Sequence, residues 1–302
     1  MSDIIDISSV SQIHELIGLG GPSHPLVSFF HHKDLLSDDQ LINRSFRLNL
    51  FDIMFKDSVE GSLGYGRNSY DFSEGSLVFI RPGQVIHFGD DHPSQSNESW
   101  SLIFHPDLIR RSPLARSIED YGFFSYEVHE ALHVSEKERD SLFGLIQKIR
   151  DEYERPIDAH SQKLIVNNIE LFLDYCLRYY DRQFLTRTNL LKDQVGEFND
   201  LLRSYFRSDR VQNLGLPTVK YLAEEMNMSP KYLSDLLKKE TGMGAQEHIH
   251  SFMIDLAKTR LLGTAEPVSQ IAYDLGFEYP QHFSKLFKNK TGHSPADYRR
   301  VQ

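Results

Sequence analysis

Ile271-Ala272-Tyr273-Asp274-Leu275-Gly276-Phe277, followed by Phe283-Ser284, Phe287-Lys288 and Thr291-Gly292, is the second writing of a pattern. The first reads Leu222-Ala223-Glu224-Glu225-Met226-Asn227-Met228, then Leu233-Ser234, Leu237-Lys238 and Thr241-Gly242. The offset is 49 residues from Ala223 to Ala272 and 50 from Ser234 to Ser284, so one residue has been added in the intervening turn. Alanine at 223 and 272 lets two short helices cross closely. Asn227 and Gly276 share a slot, and both residue types accept the left-handed backbone of a tight helix-to-helix turn. Ser229 suits the N-cap of the next helix, while Leu233/Leu237 and Phe283/Phe287, four residues apart, mark a face that can be buried.

Each copy predicts a helix-turn-helix, whose second helix enters the major groove and meets base edges with its N-terminal exposed residues. The exposed set is Lys231, Ser234, Asp235 and Lys238 in copy one, and Gln281, His282, Ser284, Lys285 and Lys288 in copy two. Lysine donates to guanine O6/N7 or to phosphate, glutamine bonds adenine bidentately, aspartate accepts from the cytosine amine, and serine does either. One such pattern is weak, because compact helical chains contain many similar turns. Two copies in register are not.

The run Ile271-Ala272, Gly276-Phe277, Phe283, Phe287-Lys288, Thr291-Gly292, Pro295 and Tyr298-Arg299 resembles the signature of the AraC/XylS family of transcription regulators. The resemblance implies double-stranded DNA as partner and admits RNA polymerase as a further one; the roles of activator and repressor both stay open. It implies base-reading slots at Lys231, Ser234 and Asp235, and at Gln281, Ser284 and Lys285. An acidic base-reading residue is unusual, so Asp235 either meets a base or orients Lys231 or Lys238. Ser229, Lys238, Lys288 and the final helix entered at Ser294-Pro295 fit phosphate contacts or caps. His248, His250 and His282 read as surface or packing residues.

Between the copies, residues 245–262 predict one uninterrupted helix with Ile249, Phe252, Met253, Leu256 and Ala257 at amphipathic spacing. At about 1.5 Å per residue this is a rod of about 27 Å, comparable to the pitch of duplex DNA. The family resemblance implies that the rod holds both recognition helices to successive major grooves. Met253 departs from the basic residue such regulators are expected to carry there.

The net charge of −10 argues against bulk attraction to nucleic acid, but it is unevenly spread. Residues 186–302 hold 16 Lys/Arg against 14 Asp/Glu, while residues 1–185 hold 17 against 29. A weakly basic reader beside an acidic companion should bind non-specific DNA poorly. The 302 residues suffice for two cores. The single Cys176 excludes an intrachain disulfide or a cysteine-based zinc site. No signal peptide or apolar span long enough for a membrane helix is expected, which points to the cytoplasm.

The first 130 residues have another texture. Runs at 25–30, 46–55, 62–66 and 77–80, separated by Gly, Asp, Asn and Pro, predict the short strands of a sandwich or barrel. Residues 75–87, from Gly75-Ser76-Leu77-Val78 to Val85-Ile86-His87, resemble a strand-turn motif of cupin barrels. That barrel precedes the DNA-binding part in many AraC-like regulators, so a small-molecule effector or self-association is the expected modulation. A catalytic cupin would need clustered metal ligands. His31 and His32 are adjacent, which on a strand sends them to opposite faces, and His87 alone reads as a barrel-mouth residue. No catalytic residue, metal or cofactor is expected, and no nucleophile elbow or phosphate loop occurs; Gly64-Tyr65-Gly66 lacks a strand-to-helix context.

Residues 135–183 return to helical periodicity. Ser135 and Glu138 form a capping box ahead of a Leu142, Leu145, Ile146 and Ile149 stripe. A second helix from near Asp158 turns Leu164, Ile165, Ile169, Phe172, Leu173, Cys176 and Leu177 inward. This pair either covers the barrel or forms a homodimer interface, the latter being what the resemblance implies. The reading is thus α+β: a cupin-like barrel with flanking helices over 1–184, a linker over 185–192, and an all-α double helix-turn-helix over 193–302.

Overall fold

The structure, a computed structural model, describes residues 4–35, 44–57, 75–88, 98–127, 130–186 and 188–301. The run expected at 62–66 lies outside them. Two compact units divide at Leu185/Thr186.

The first unit runs through β1 (Ile4–Ile7), α1 (Val10–Leu16), β2 (Val27–His31), β3 (Arg44–Leu48), β4 (Phe51–Lys56), β5 (Ser76–Ile80), β6 (Gln84–Phe88) and β7 (Trp100–Phe104). The short helices α2 (Pro106–Ile109) and α3 (Leu114–Ser117) come next, then β8 (Leu132–His133), α4 (Glu136–Tyr153) and α5 (Ser161–Thr186). The strands form two sheets, ordered β1-β3-β6 and β2-β7-β4-β5-β8. β1 runs parallel to β3, and the other described pairs are antiparallel.

Side-chain alternation sends Phe46 and Leu48 from one sheet, and Met54, Val78, Ile80 and Ile103 from the other, into a common core that α1 closes with Ile13. The other face of the five-stranded sheet is buried too: Phe55, Leu77, Phe79, Trp100, Leu102 and Phe104 are all 3 % exposed or less. The helical hairpin covers it, with the Trp100 ring 6.3 Å from Phe143 of α4 and 6.2 Å from Phe172 of α5. Burial on both faces explains why residues 77–80 read as a continuous apolar run.

The predicted cap of α4 forms, with the Glu138 carboxylate accepting from the Ser135 amide at 2.9 Å, and Leu142, Leu145, Ile146 and Ile149 are buried. On α5, Ile165, Ile169, Phe172, Leu173 and Cys176 are buried, but Leu164 and Leu177 are exposed at 46 % and 40 %. The inward face is therefore narrower than predicted, because the sheet meets only one stripe of the helix. Asp158 lies before α5, its carboxylate accepting from the amides of His160 (2.7 Å) and Ser161 (3.0 Å). Residues 185–192, expected as a linker, are helical wherever described, being the end of α5 and the start of α6 (Thr188–Arg207).

His31 and His32 diverge as expected, His31 against the Phe29 ring and His32 toward Ser101, whose Oγ lies 3.1 Å from its Nε2. The side chain of His87 lies outside the described residues. Among the described residues, no three His, Cys, Asp or Glu side chains group to hold a metal. Inside the barrel, His14 Nε2 lies 2.6 Å from Ser28 Oγ, and Ser101 also bonds the buried Asp52 carboxyl. Asp52 Oδ1 is buried and has no hydrogen-bond partner among the described residues.

The second unit is helical: after α6 come α7 (Arg210–Leu214), α8 (Val219–Glu225), α9 (Pro230–Thr241), α10 (Ala245–Gly263), α11 (Val268–Asp274), α12 (Pro280–Thr291) and α13 (Pro295–Val301). α8-α9 and α11-α12 are the two predicted motifs. Four residues separate the first pair and five the second, which places the added residue in the second turn. Asn227 and Gly276 adopt φ of 54° and 88°. A Cβ on Gly276 would lie 2.8 Å from the Gly215 carbonyl carbon and 3.0 Å from the Leu216 nitrogen, whereas one on Gly242 (φ 79°) would meet open space.

These two glycines should therefore respond differently to a side chain. Gly276→Ala should destabilise the second unit by about 2–4 kcal/mol, because a backbone clash adds to the left-handed penalty. Gly242→Ala should cost only about 1–2 kcal/mol. Urea unfolding of both variants checks the order, and equal costs would contradict it.

The barrel's buried Asp52 and half-buried His32 make its stability depend on pH. Burial pushes the Asp52 carboxyl up to about 7, opposed by the Ser101 hydrogen bond, while burial pushes His32 down to about 4, assisted by the charge of Lys56. Between pH 4 and 7 the unfolded chain has released the Asp52 proton while the fold retains it, so this group's contribution falls as pH rises. His32 acts oppositely, its contribution being lost as pH falls from 6.5 toward 4. Asp52→Asn should therefore gain stability over wild type progressively from pH 4 to 7, reaching about 2–4 kcal/mol at pH 8. Parallel pH profiles of the unfolding midpoint would refute this.

Candidate nucleic-acid interface

The two motifs share their terminal geometry. Gly242 and Gly292 end α9 and α12 in left-handed conformations, their amides donating to the Lys238 and Lys288 carbonyls at 2.9 and 2.8 Å. In each, the preceding threonine hydroxyl donates to the carbonyl four residues back, Leu237 at 2.7 Å and Phe287 at 2.8 Å. Ala223 and Ala272 are fully buried, as the close helix crossings require. The starts differ: Ser229 caps α9 by accepting from the Tyr232 amide at 3.2 Å, whereas Tyr279 gives α12 no side-chain cap.

α10 lies between the motifs and contributes to both cores. Its 19 residues make a rod of about 28 Å. Ile249, Met253 and Ala257 are fully buried, and Met253 belongs to the core formed by Ile271, Ala272, Phe283 and Phe287. The position thus faces the interior, where a basic residue would be costly. Arg260 ties α10 to α11 and to the turn between them, bonding Asp274 at 2.6 Å and Glu266 at 2.9 Å. Arg299 of α13 donates to the carbonyls of Leu261 (2.9 Å) and Glu266 (2.7 Å). No local pattern marks these two arginines as structural. Their partners lie up to 14 and 38 residues away in the chain.

On α12, Gln281, His282, Lys285 and Lys288 are exposed together on the face opposite the buried Phe283 and Phe287. Lys285 and Lys288 have no ion-pair partner among the described residues. Ser284 is half-buried, its hydroxyl donating to the Pro280 carbonyl at 3.0 Å. On α9, Lys238 is exposed, but Lys231 is engaged with Asp235 at 2.6 Å. Ser234 Oγ accepts from the Ala245 amide at 3.4 Å, which turns it toward the start of α10. His248 and His250 both belong to local packing, beside Thr241 (2.6 Å) and Gln246 (2.9 Å). Burial, then the charge of Lys290, hold His250 below the usual imidazole range. The predicted surfaces therefore come together on each helix; among the described residues Lys285 and Lys288 of α12 and Lys238 of α9 have no ion-pair partner, whereas Lys231 is paired.

Residues 222–301 match the family model described as a helix-turn-helix domain. The chain is 25 % identical over 193 residues to the uncharacterized HTH-type transcriptional regulator YijO of Escherichia coli, covering 64 % of each chain. It is 25 % identical to the arabinose operon regulatory protein of Salmonella typhimurium, covering 80 % of each. It is 24 % identical to the HTH-type transcriptional activator RhaS of Yersinia pestis, covering 83 % of this chain and 87 % of that one. The chain thus spans just under two thirds of the first of these relatives. All three are named as regulators of gene expression rather than enzymes, and no helix among the described residues is long and apolar enough to cross a membrane. With its paired motifs, shared caps and central rod, the second unit is a helix-turn-helix domain of the AraC type, and the chain is similar to transcription regulators that carry one.

Proposed function

We propose that this regulator reads a bipartite DNA site, with α9 and α12 as two unequal heads in successive major grooves. The observation that carries the reading is the exposed set Gln281, Lys285 and Lys288 on one face of α12. Gln281 and Lys285 suit base edges, and Lys288 suits phosphate. On α9 the corresponding groups are Lys231, Ser234, Asp235 and Lys238. Ser234 and Ser284 already have intramolecular partners, so they act chiefly by shaping each head.

The regulator works in the cytoplasm, where DNA and RNA polymerase are both within reach. One relative is named as an activator, which supports activation through contact with the polymerase. Residues 1–184 modulate the reader, by a small-molecule effector in the barrel or by self-association. Self-association has specific support in α5: Leu164 and Leu171 are exposed, seven residues apart, on the side turned from the sheet. A second copy would bury them.

Lys285→Ala and Gln281→Ala should each weaken binding to a cognate duplex by about 1–3 kcal/mol and relax selection at one or two base pairs. Fluorescence anisotropy on a site recovered from genomic fragments measures this, and unchanged affinity and preference in both variants would remove α12 as a reading head. Sedimentation should show a dimer that Leu164→Asp/Leu171→Asp dissociates. A wild-type monomer at micromolar concentration, with and without DNA, would count against self-association.

A further inference from the structure

Lys231 and Asp235 form an ion pair on the face of α9 opposite the buried Leu233 and Leu237, with Nζ and Oδ1 2.6 Å apart. Helix stability does not account for it. Lys231 stands in the first turn, just after the Ser229 cap and Pro230, where the helix dipole disfavours a cation. The carboxylate lies four residues further in, which is the less favourable order for such a pair. Both side chains are partly exposed, at 44 % and 26 %, so the pair adds little to the fold. Its cost falls on DNA binding, since a carboxylate on a groove-facing surface repels phosphate. The equivalent positions on α12, Gln281 and Lys285, carry no acid.

We propose that Lys231 and Asp235 read a single G·C base pair as one unit, an inference that rests on the DNA-reading role proposed for α9. The major-groove edge of G·C presents the acceptors N7 and O6 on guanine and then the N4 donor on cytosine. A cation beside an anion is the complement of that order. The pair's separation also suits it, because O6 and N4 are themselves joined by a base-pair hydrogen bond of about 2.9 Å. The ammonium donates to N7 and O6 while the carboxylate accepts from N4. The other three arrangements match this order less well. A·T sets a donor against Lys231 and an acceptor against Asp235, and C·G sets two acceptors against the carboxylate. T·A keeps an acceptor and a donor in the two central places, thymine O4 and adenine N6, but puts the thymine methyl where guanine N7 would meet the ammonium and adds the adenine N7 acceptor beside the carboxylate, so it is the nearest competitor. The carboxylate that weakens general attraction to DNA thereby selects one base pair.

The test is selection from a randomised duplex library by the full chain, as wild type, Asp235→Ala, Lys231→Ala and Lys285→Ala, with matched thermal melts to confirm folding. Wild type should recover a G·C pair in one half-site. Asp235→Ala and Lys231→Ala should each lose that preference by about 5- to 100-fold while the other half-site stays unchanged. Asp235→Ala should also bind a mixed-sequence duplex severalfold more tightly. An unchanged preference at every position of the first half-site in Asp235→Ala would overturn the inference while leaving DNA reading intact, provided Lys285→Ala alters the second half-site. Recovery of no motif by wild type would overturn both.

Discussion

Backbone packed on backbone at residue 276 is the contact on which the second motif depends. The turn between α11 and α12 presses against Gly215 and Leu216 so closely that no side chain fits at either glycine without displacement. The Tyr205 hydroxyl fixes the other side of that contact by donating to the Gly215 carbonyl at 3.0 Å. In the first turn Asn227 holds the same left-handed backbone, at φ 54°. The two motifs are thus one design under different local constraints.

Electrostatics separates the heads further. α12 offers lysines with no carboxylate against them among the described residues, while the first-turn cation of α9 is engaged by its own acid. The charge balance of the second unit, 16 Lys/Arg against 14 Asp/Glu, leaves little general attraction to phosphate. A reader of this composition gains selectivity through placed groups rather than through field. Its core is held independently of those groups: Met253, Phe283 and Phe287 are fully buried, and Arg260 and Arg299 join α10 to α11 and α13 through internal partners.

Much of this was legible in the sequence because it is local. The alanine crossings, the left-handed slots at 227 and 276, the Thr-Gly ends and the α4 capping box depend on neighbours within a few residues. What was not legible depends on distant partners. Nothing in the α5 periodicity reveals that Leu164 and Leu177 face away from the sheet, because the sheet's width decides it. The Ala245 amide beside the Ser234 hydroxyl comes from the fold alone, and Met253 reads as a departure until its core is assembled. The apparent linker at 185–192 is helical wherever described, and its composition gives no sign of this. Asp52 and Ser101 join through the pairing of β4 with β7.

Two heads on a common rod should read successive major grooves on one face of the duplex. Methylation-interference footprinting of the full chain on a cognate fragment measures that arrangement without perturbing the protein. Two clusters of interfering guanines are expected, with centres about 10–10.5 base pairs apart. A single cluster, or two separated by a half-integral number of turns, would contradict the two-headed arrangement.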